Sequence, residues 1–219
     1  MKKAILALAL VLTVGTAAST AAGPITTLFN TGGVPGEASA HWYLGNDAPA
    51  YVTGPGFPFP YWLANDATSQ WISPQAGYLN YGSDPAPATY VFSTLFQIPV
   101  GYVPATASFK MRVAADNQVT QVRLNGTDLG VSWVDGTPVT YDSFSGFSPY
   151  YMVTGLVLGE NHLAFDVWNA PQSSGGNPAG LRVEFAESEM IPNPEPASLV
   201  LLGTGLVGLL GAVRRRRQK

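Results

Sequence analysis

The sequence has no cysteine among its 219 residues, and only 11% of its side chains are charged. Without cysteine, neither a disulfide framework nor a zinc site with thiolate ligands can form. His41 and His162 are the two histidines, so a serine triad would need one of them as its base. The H-E-x-x-H, G-x-S-x-G, P-loop and G-x-G-x-x-G motifs are absent as well. The sequence therefore favours a protein that is not an enzyme.

Basic residues are scarce in the central part of the chain. Between residues 23 and 193, thirteen Asp or Glu residues stand against four basic ones, which are Lys110, Arg112, Arg123 and Arg182. Binding to nucleic acid needs a basic surface that releases counterions from phosphate. Because four scattered cations cannot form such a surface, we expect no nucleic-acid partner.

The first 22 residues have the pattern of a secretory signal peptide. Lys2 and Lys3 precede an apolar run at residues 4–14, and small residues fill positions 15–22. Cleavage near Ala22 would remove this segment from the mature protein. The sequence thus predicts that residues 1–22 direct export from the cytoplasm.

A second uncharged apolar run lies near the other end, at residues 197–213. As a helix it would reach roughly 25 Å at about 1.5 Å per residue, close to the thickness of a hydrocarbon core. We therefore predict a single transmembrane helix at 197–213 and a basic cytoplasmic tail at 214–219. The positive-inside rule assigns the stop-transfer role to Arg214, Arg215, Arg216 and Arg217.

Three features follow one another at this end: Pro194, Glu195 and Pro196, then the apolar run, then the arginine cluster. Together they resemble the PEP-CTERM sorting signal of Gram-negative bacteria, which the membrane enzyme exosortase recognises. Asn193 departs from the family, which usually has valine there. The resemblance implies that the helix is a temporary anchor and that the tail is cut near the Pro-Glu-Pro motif. It also implies that the mature protein reaches the cell surface or an extracellular polysaccharide matrix. The alternative is a permanent anchor with a Pro-rich stalk.

The central region shows the two-residue periodicity of β-strands and no helical period. Phe109, Met111 and Val113 alternate with Lys110 and Arg112, as expected for a strand with one buried and one solvent-facing side. Similar patterns predict strands at 90–98, 119–124, 161–168 and 180–185, the last through Leu181, Val183 and Phe185. Asn125-Gly126 predicts a hairpin between 119–124 and 128–132. Short strands between Gly, Pro and Asn turns indicate an all-β, antiparallel β-sandwich or barrel.

The order of these segments between about residues 89 and 186 carries a further resemblance. The segment 114–126 contains Ala-Asp-Asn and ends in Leu-Asn-Gly, and Gly-Glu-Asn-His-Leu follows at 159–163. This order is similar to that of galactose-binding-like modules, which accompany many glycoside hydrolases. The resemblance implies a jelly-roll β-sandwich, which we place at residues 23–189. A Pro-rich spacer at 190–196 would connect it to the transmembrane helix.

Acidic and amide side chains offer a limited choice of chemistry. Many lie in loop dipeptides such as Asp116-Asn117, where the side chain typically caps a turn. The same oxygen atoms suit Ca²⁺, so Asp116 and Asn117 are candidate metal ligands, although no spaced D-x-D-x-D-G loop is present. A hydrolase would need two carboxyl groups about 5–10 Å apart, and the sequence singles out no such pair.

Aromatic residues crowd one part of the chain. An exposed ring can stack on a sugar, whereas a buried ring fills a core. We expect Trp62 and Trp71 in the core and Trp42 and Tyr61 exposed, which makes the latter two the candidate glycan-stacking residues. The ten aromatic residues of this segment are Trp42, Tyr43, Tyr51, Phe57, Phe59, Tyr61, Trp62, Trp71, Tyr78 and Tyr81.

These observations lead to one main functional expectation and two alternatives. The first is a non-catalytic β-sandwich module, exported and sorted by exosortase, that binds extracellular polysaccharide. The second is a purely structural biofilm or adhesion protein without a small ligand. The third is a polysaccharide hydrolase. His162 lies in a strand pattern and should face solvent, and we expect a structural role for His41.

Overall fold

The computed structural model describes residues 21–45, 47–56, 58–76, 85–133, 143–171, 176–193, 203–206 and 208. The chain divides into two units. One, which we call the β unit, is Ala22–Pro192, and the other comprises Met1–Ala21 and Asn193–Lys219. In the second unit residues 203–206 and 208 are helical. Across the part of the chain that the structure describes, no helix has the length and apolar character needed to cross a membrane. Most of the predicted span 197–213 lies outside the described residues.

In the described residues of the β unit, the regular secondary structure is antiparallel β-strand. The predicted all-β, antiparallel class is therefore confirmed. The sheet order is β7-β6-β9-β4-β1-β2-β3-β10-β5-β8. The strands in the described residues are β1 (Ala38–Leu44), β2 (Ala48–Val52), β3 (Ile72–Ser73), β4 (Ala88–Ile98), β5 (Tyr102–Asp116), β6 (Gln118–Leu124), β7 (Thr127–Asp128), β8 (Tyr151–Val153), β9 (Gly159–Asn169) and β10 (Gly180–Pro192).

The sheet curls so that its two halves pack against each other. Four strands separate β4 from β5 in the sheet order, yet the rings of Phe96 and Phe109 meet edge to face at 5.6 Å. Trp42 on β1 stacks near Phe185 on β10, with ring centroids 6.3 Å apart. One apolar core, made of residues from both halves, therefore lies inside the curled sheet.

The alternating strands bury the side chains that the sequence predicts. Phe109, Met111 and Val113 are buried on β5, and Leu163 and Phe165 are buried on β9. These positions face the core because successive side chains of a strand point to opposite sides. The alternation thus identifies the core face of both strands.

The predicted hairpin is present but shorter than expected. Asn125 and Gly126 have φ angles of 52° and 82°, which is the left-handed conformation that Asn and Gly tolerate best. They connect β6 to β7, and β7 ends at Asp128 rather than continuing to Ser132. The Asp128 carboxylate accepts a bond from the backbone N–H of Gly130, at 2.9 Å, which turns the chain after β7. The chain stays beside β6, because Trp133 forms a bridge with Val119.

The expectation of a solvent-facing side for β10 is wrong. Arg182 and Glu184 alternate with the core residues, yet both are buried. A second, smaller apolar cluster covers this outer side of the sheet, built on Ala114 of β5. Its members are Trp62, Trp71 and Ala114, with Phe59, Leu63, Phe144 and Phe147 packed against them. A layer of aromatic and aliphatic side chains therefore covers the outer side of β5 and β10.

Strand β10 continues beyond the predicted end of the domain at residue 189. Ile191 and Pro192 pair with Val103 and Tyr102 of β5. Met190 is buried and forms a bridge with Gly23. The first residues of the predicted spacer 190–196 thus belong to the sheet, because β5 and Gly23 pair with them from both sides.

Candidate functional site

An apolar cavity of about 730 Å³ opens on the covering layer, and we call it the aromatic pocket. Three aromatic residues line it, and its polar groups are amides and hydroxyls. None of the described residues that line it is Asp, Glu, Lys, Arg or His. The lining residues are Pro35, Thr53, Pro55, Gly56, Phe59, Pro60, Tyr61, Trp62, Leu63, Ala64, Asn65, Gln70 and Ser145.

Hydrogen bonds from two indole rings hold one wall of the aromatic pocket in place. Trp62 packs on Trp71 with ring centroids 4.3 Å apart, and its Nε1–H donates to Asp116 Oδ2 at 2.8 Å. Trp71 Nε1–H donates to the carbonyl of Leu63 at 2.7 Å. Both tryptophans are buried, as the sequence predicts. A buried indole with a satisfied N–H is a rigid wall for a neighbouring ligand.

Tyr61 stands at the mouth of the aromatic pocket, with 66% of its surface exposed. The preceding turn holds its backbone, since the N–H of Tyr61 donates to the carbonyl of Pro58 at 2.9 Å. The expected exposure of Tyr61 is confirmed. Its ring can therefore present a face to a ligand while the pocket wall behind it stays fixed.

The expected exposure of Trp42 is wrong, because this residue is 0% exposed. Its ring lies 5.7 Å from that of Phe165, and its Nε1–H donates to the carbonyl of Phe29 at 3.2 Å. Trp42 lies on β1, near the centre of the sheet order, where the two halves of the sheet enclose it. It cannot stack on a glycan in this position and is a core residue.

The candidate calcium ligands Asp116 and Asn117 are both buried, and Asp116 accepts a hydrogen bond from the Trp62 indole. Asn117 Oδ1 accepts a bond from the backbone N–H of Ala170 at 2.7 Å. These oxygens thus hold the end of β5 to neighbouring segments. In the described residues, no three His, Cys, Asp or Glu side chains are grouped closely enough to hold a metal ion. The calcium role of Asp116 and Asn117 stays a prediction.

The two histidines lie in different parts of the β unit. His162 is exposed on β9, as predicted. His41 is exposed on β1, and its ring stacks on Phe29 with centroids 3.8 Å apart. His41 lines a second cavity of about 670 Å³, which we call the polar pocket. Gln70 lines both cavities, so the polar pocket adjoins the aromatic pocket.

Asp66 lies at the edge of the polar pocket and ties its loop together. Its Oδ1 accepts backbone N–H bonds from Thr68 at 2.7 Å and Ser69 at 3.0 Å, and its Oδ2 lies 2.8 Å from Arg182. These backbone donors, Ser69 foremost, and the Arg182 guanidinium hold the pKa of Asp66 below its ordinary value. The carboxylate is therefore an anchor for the loop over a wide pH range.

Arg182 is the centre of a buried group of charges that the sequence analysis missed. Its Nε–H donates to Ser69 Oγ at 2.6 Å, and that hydroxyl donates to Glu184 Oε1 at 2.7 Å. Arg112 Nε–H donates to the other oxygen of Glu184 at 2.8 Å. The Phe147 ring lies over both guanidinium groups, at 4.2 Å from Arg112 and 5.0 Å from Arg182. Arg182, Glu184 and Ser69 are buried, whereas Arg112 is partly exposed and Asp66 is exposed. We call these five residues the buried charge network after its buried centre, Arg182.

Residues 194–217 match the family model of the PEP-CTERM protein-sorting motif. The match confirms the resemblance that Pro194, Glu195 and Pro196 carry together with the arginine cluster. The motif implies export, membrane-associated sorting and processing by exosortase. These motif residues lie outside the described part of the structure, and so do Phe57, Tyr78 and Tyr81. No curated protein is similar enough to the chain to count as a match.

Proposed function

We propose that the chain is a surface or matrix protein of a Gram-negative bacterium that displays a non-catalytic polysaccharide-binding module. Export begins with the signal peptide at residues 1–22. A transmembrane helix at 197–213 then anchors the chain until exosortase cuts near Pro194, Glu195 and Pro196. The β unit, with a jelly-roll sandwich arrangement of the galactose-binding-like type, is the part that is displayed. The sorting motif at residues 194–217 carries the first half of this proposal.

The sorting step makes a direct prediction. Replacing Pro194, Glu195 and Pro196 together by alanine should leave the protein in the inner membrane at its full-length mass, because the processing enzyme loses its recognition sequence. Cell fractionation and intact-mass measurement of the pulse-labelled protein would show this. A matched control replaces Ala86, Pro87 and Thr89 of the β unit by glycine, which leaves the motif intact. Unchanged release of the motif variant would contradict the sorting function.

The binding step is supported by the exposed ring of Tyr61 at the mouth of the aromatic pocket. Sugar rings carry an apolar face of C–H groups and a rim of hydroxyls, so an aromatic platform beside amide groups suits both. Asn65 and Gln70 supply those amides. The adjoining polar pocket extends the surface beyond one sugar, which fits a polymer.

The non-catalytic part of the proposal is supported by the chemistry of the pocket lining. Glycoside hydrolysis needs two carboxyl groups on opposite sides of the scissile bond. The described residues that line the aromatic pocket supply no carboxyl group. The polar pocket has two, but Asp66 is bonded to its own loop and to Arg182, and Glu187 pairs with Lys110. Asp116 lies behind the Trp62 indole and accepts its hydrogen bond, so this carboxylate serves the wall of the pocket.

The binding step predicts that Tyr61→Ala weakens the affinity for the matrix polysaccharide about 10-fold, as expected for the loss of about 1–3 kcal/mol of stacking energy estimated from other aromatic platforms. The processed protein would be titrated with extracellular polysaccharide from the same cells in a calorimeter. Tyr150→Ala is the matched control, since Tyr150 is an exposed tyrosine outside the aromatic pocket.

The possible outcomes distinguish a binding module from a purely structural protein and from a hydrolase. Saturable binding that Tyr61→Ala weakens and Tyr150→Ala preserves supports the binding module. Absence of binding by the folded protein would favour a purely structural matrix protein. That second candidate is supported by the burial of Trp42, Trp62 and Trp71, which commits three of the aromatic residues to packing. Release of reducing ends would point instead to a hydrolase.

A further inference from the structure

The two ends of the β unit are hydrogen-bonded to each other. The N–H of Gly23 donates to the carbonyl of Met190 at 3.0 Å, and the N–H of Met190 donates back to Gly23 at 2.8 Å. The N–H of Ile25 donates to Ser188 Oγ at 3.2 Å. The first residues after the predicted signal peptide thus pair with one edge of β10.

Strand β5 pairs with the other edge of the end of β10. Ile191 pairs with Val103, and Pro192 pairs with Tyr102. The N–H of Ile191 also donates to the Thr106 hydroxyl at 3.1 Å. The end of β10 is therefore paired with Gly23 at Met190 and with β5 up to Pro192, the last residue of the β unit.

The sorting motif begins almost immediately after this paired segment. Pro192 is the last residue of β10, and Asn193 alone separates it from Pro194. One extended residue spans about 3.3–3.6 Å. This length does not allow an enzyme to enclose the motif together with residues before it while β10 stays paired.

We propose that exosortase processing requires the Glu189–Pro192 end of β10 to separate from Gly23 and β5, so that this pairing sets the processing rate. The proposal rests on the sorting function described above. Glu189 to Pro192 are then positioning residues of the substrate, because they act by presenting the motif and not by reacting. Gly23 takes part as well, so the two ends of the mature chain are coupled.

Local opening of a folded substrate explains why pairing controls such a reaction. Strand ends open far more often than whole domains, and cleavage of an opened segment follows the population of the open form. Burial of Met190 and Ile25 lowers that population, since both side chains must leave the core edge when the end of β10 opens. Processing therefore slows when opening is blocked and speeds up when the motif stands farther from the sheet.

A disulfide between β5 and β10 tests this directly. Val103 and Ile191 face each other in the register, and Cα atoms of directly opposed antiparallel residues are about 4.5–5.5 Å apart, within disulfide range. In full-length Val103→Cys/Ile191→Cys we expect at least about 10-fold slower appearance of the processed form in a pulse-chase experiment, because opening then requires reduction. The chain has no other cysteine, so the pairing is unambiguous. Reductant should restore the rate.

Two further variants make the result specific. Leu95→Cys/His162→Cys places a disulfide between the exposed, opposed residues of β4 and β9, away from the chain ends, and should be processed at the normal rate. Insertion of six Gly and Ser residues between Asn193 and Pro194 should restore normal processing of the Val103→Cys/Ile191→Cys variant.

Normal processing of the oxidised Val103→Cys/Ile191→Cys protein would overturn the proposal, and so would slow processing that the Gly-Ser insertion does not relieve. Processing that persists after alanine replacement of Pro194, Glu195 and Pro196 is a different result, because it removes the sorting function on which the proposal rests. Measuring all variants in the same strain keeps the two failures apart.

Discussion

Replacing Arg182 by methionine is expected to lower the free energy of unfolding of the β unit by about 3 kcal/mol, at the low end of the range of about 3–5 kcal/mol for breaking a buried ion pair. Arg182 is 0% exposed and contacts Ser69 and Asp66, while Glu184 lies beside it. Methionine has a similar volume but leaves these polar groups without their shared donor. The loss stays near 3 kcal/mol because Arg112 still pairs with Glu184.

The measurement is urea unfolding of the processed protein followed by tryptophan fluorescence. Lys110→Met is the matched control, because Lys110 pairs with Glu187 at the surface, where such a pair contributes only about 0–1 kcal/mol. Equal losses for Arg182→Met and Lys110→Met would contradict the role of the buried charge network.

Replacing Trp42 by alanine should also be severe, with a loss of about 3–5 kcal/mol of unfolding free energy, the usual cost of truncating a buried aromatic residue to alanine. The Trp42 ring contacts Phe165 and Phe185, and its indole N–H bonds the carbonyl of Phe29. Its removal opens a cavity between the two halves of the sheet and leaves that carbonyl without its donor. Thermal and urea unfolding of the processed protein would both report the loss.

Tyr61→Ala is the control for Trp42→Ala, because the sequence gives both residues the same candidate role. Tyr61 is largely exposed, so we expect its removal to change the unfolding free energy by less than about 0.5 kcal/mol. The two variants therefore separate stability from binding. If Trp42→Ala left stability unchanged, the curled arrangement of the sheet would be wrong.

Local sequence patterns were sufficient to predict β4, β5, β6, β9 and β10, but not the strands before residue 88. The alternation of Phe109, Met111 and Val113 reports directly which side of β5 meets the core, since it depends only on the pleat of a strand. The positive φ angles at Asn125 and Gly126 are likewise a local property of those residues. Such features need no knowledge of distant parts of the chain.

Features that depend on distant segments could not be predicted in this way. Arg182 is buried because residues from 64 to 69 and Phe147 cover it, more than a hundred and more than thirty positions away. The extension of β10 to Pro192 depends on pairing with Val103 and Tyr102 of β5, more than 80 positions away, and on the bridge between Met190 and Gly23. The charges at 182 and 184, alternating with core residues, indicated a solvent-facing side instead of a second buried layer.

The candidate site also has one feature that the local sequence predicts and one that depends on distant segments. A count of aromatic residues locates the segment that builds the aromatic pocket, but it does not distinguish a ring in the core from a ring at the surface. Tyr61 is exposed and Trp42 is buried, although both lie in Gly- and Pro-containing surroundings. The two residues differ in exposure because Trp42 lies on β1, in the middle of the sheet order.

The two ends of the sheet order bear on how neighbouring copies of the chain behave. In the described residues the sheet ends in β7, which is two residues long, and β8, which is three residues long. Where β5 extends beyond β8 it contains Pro104, which has no N–H to donate. Free strand edges are the usual template for adding strands from another molecule. The two terminal strands themselves thus offer a neighbouring copy of the chain only two and three residues of strand edge on which to add a strand of its own.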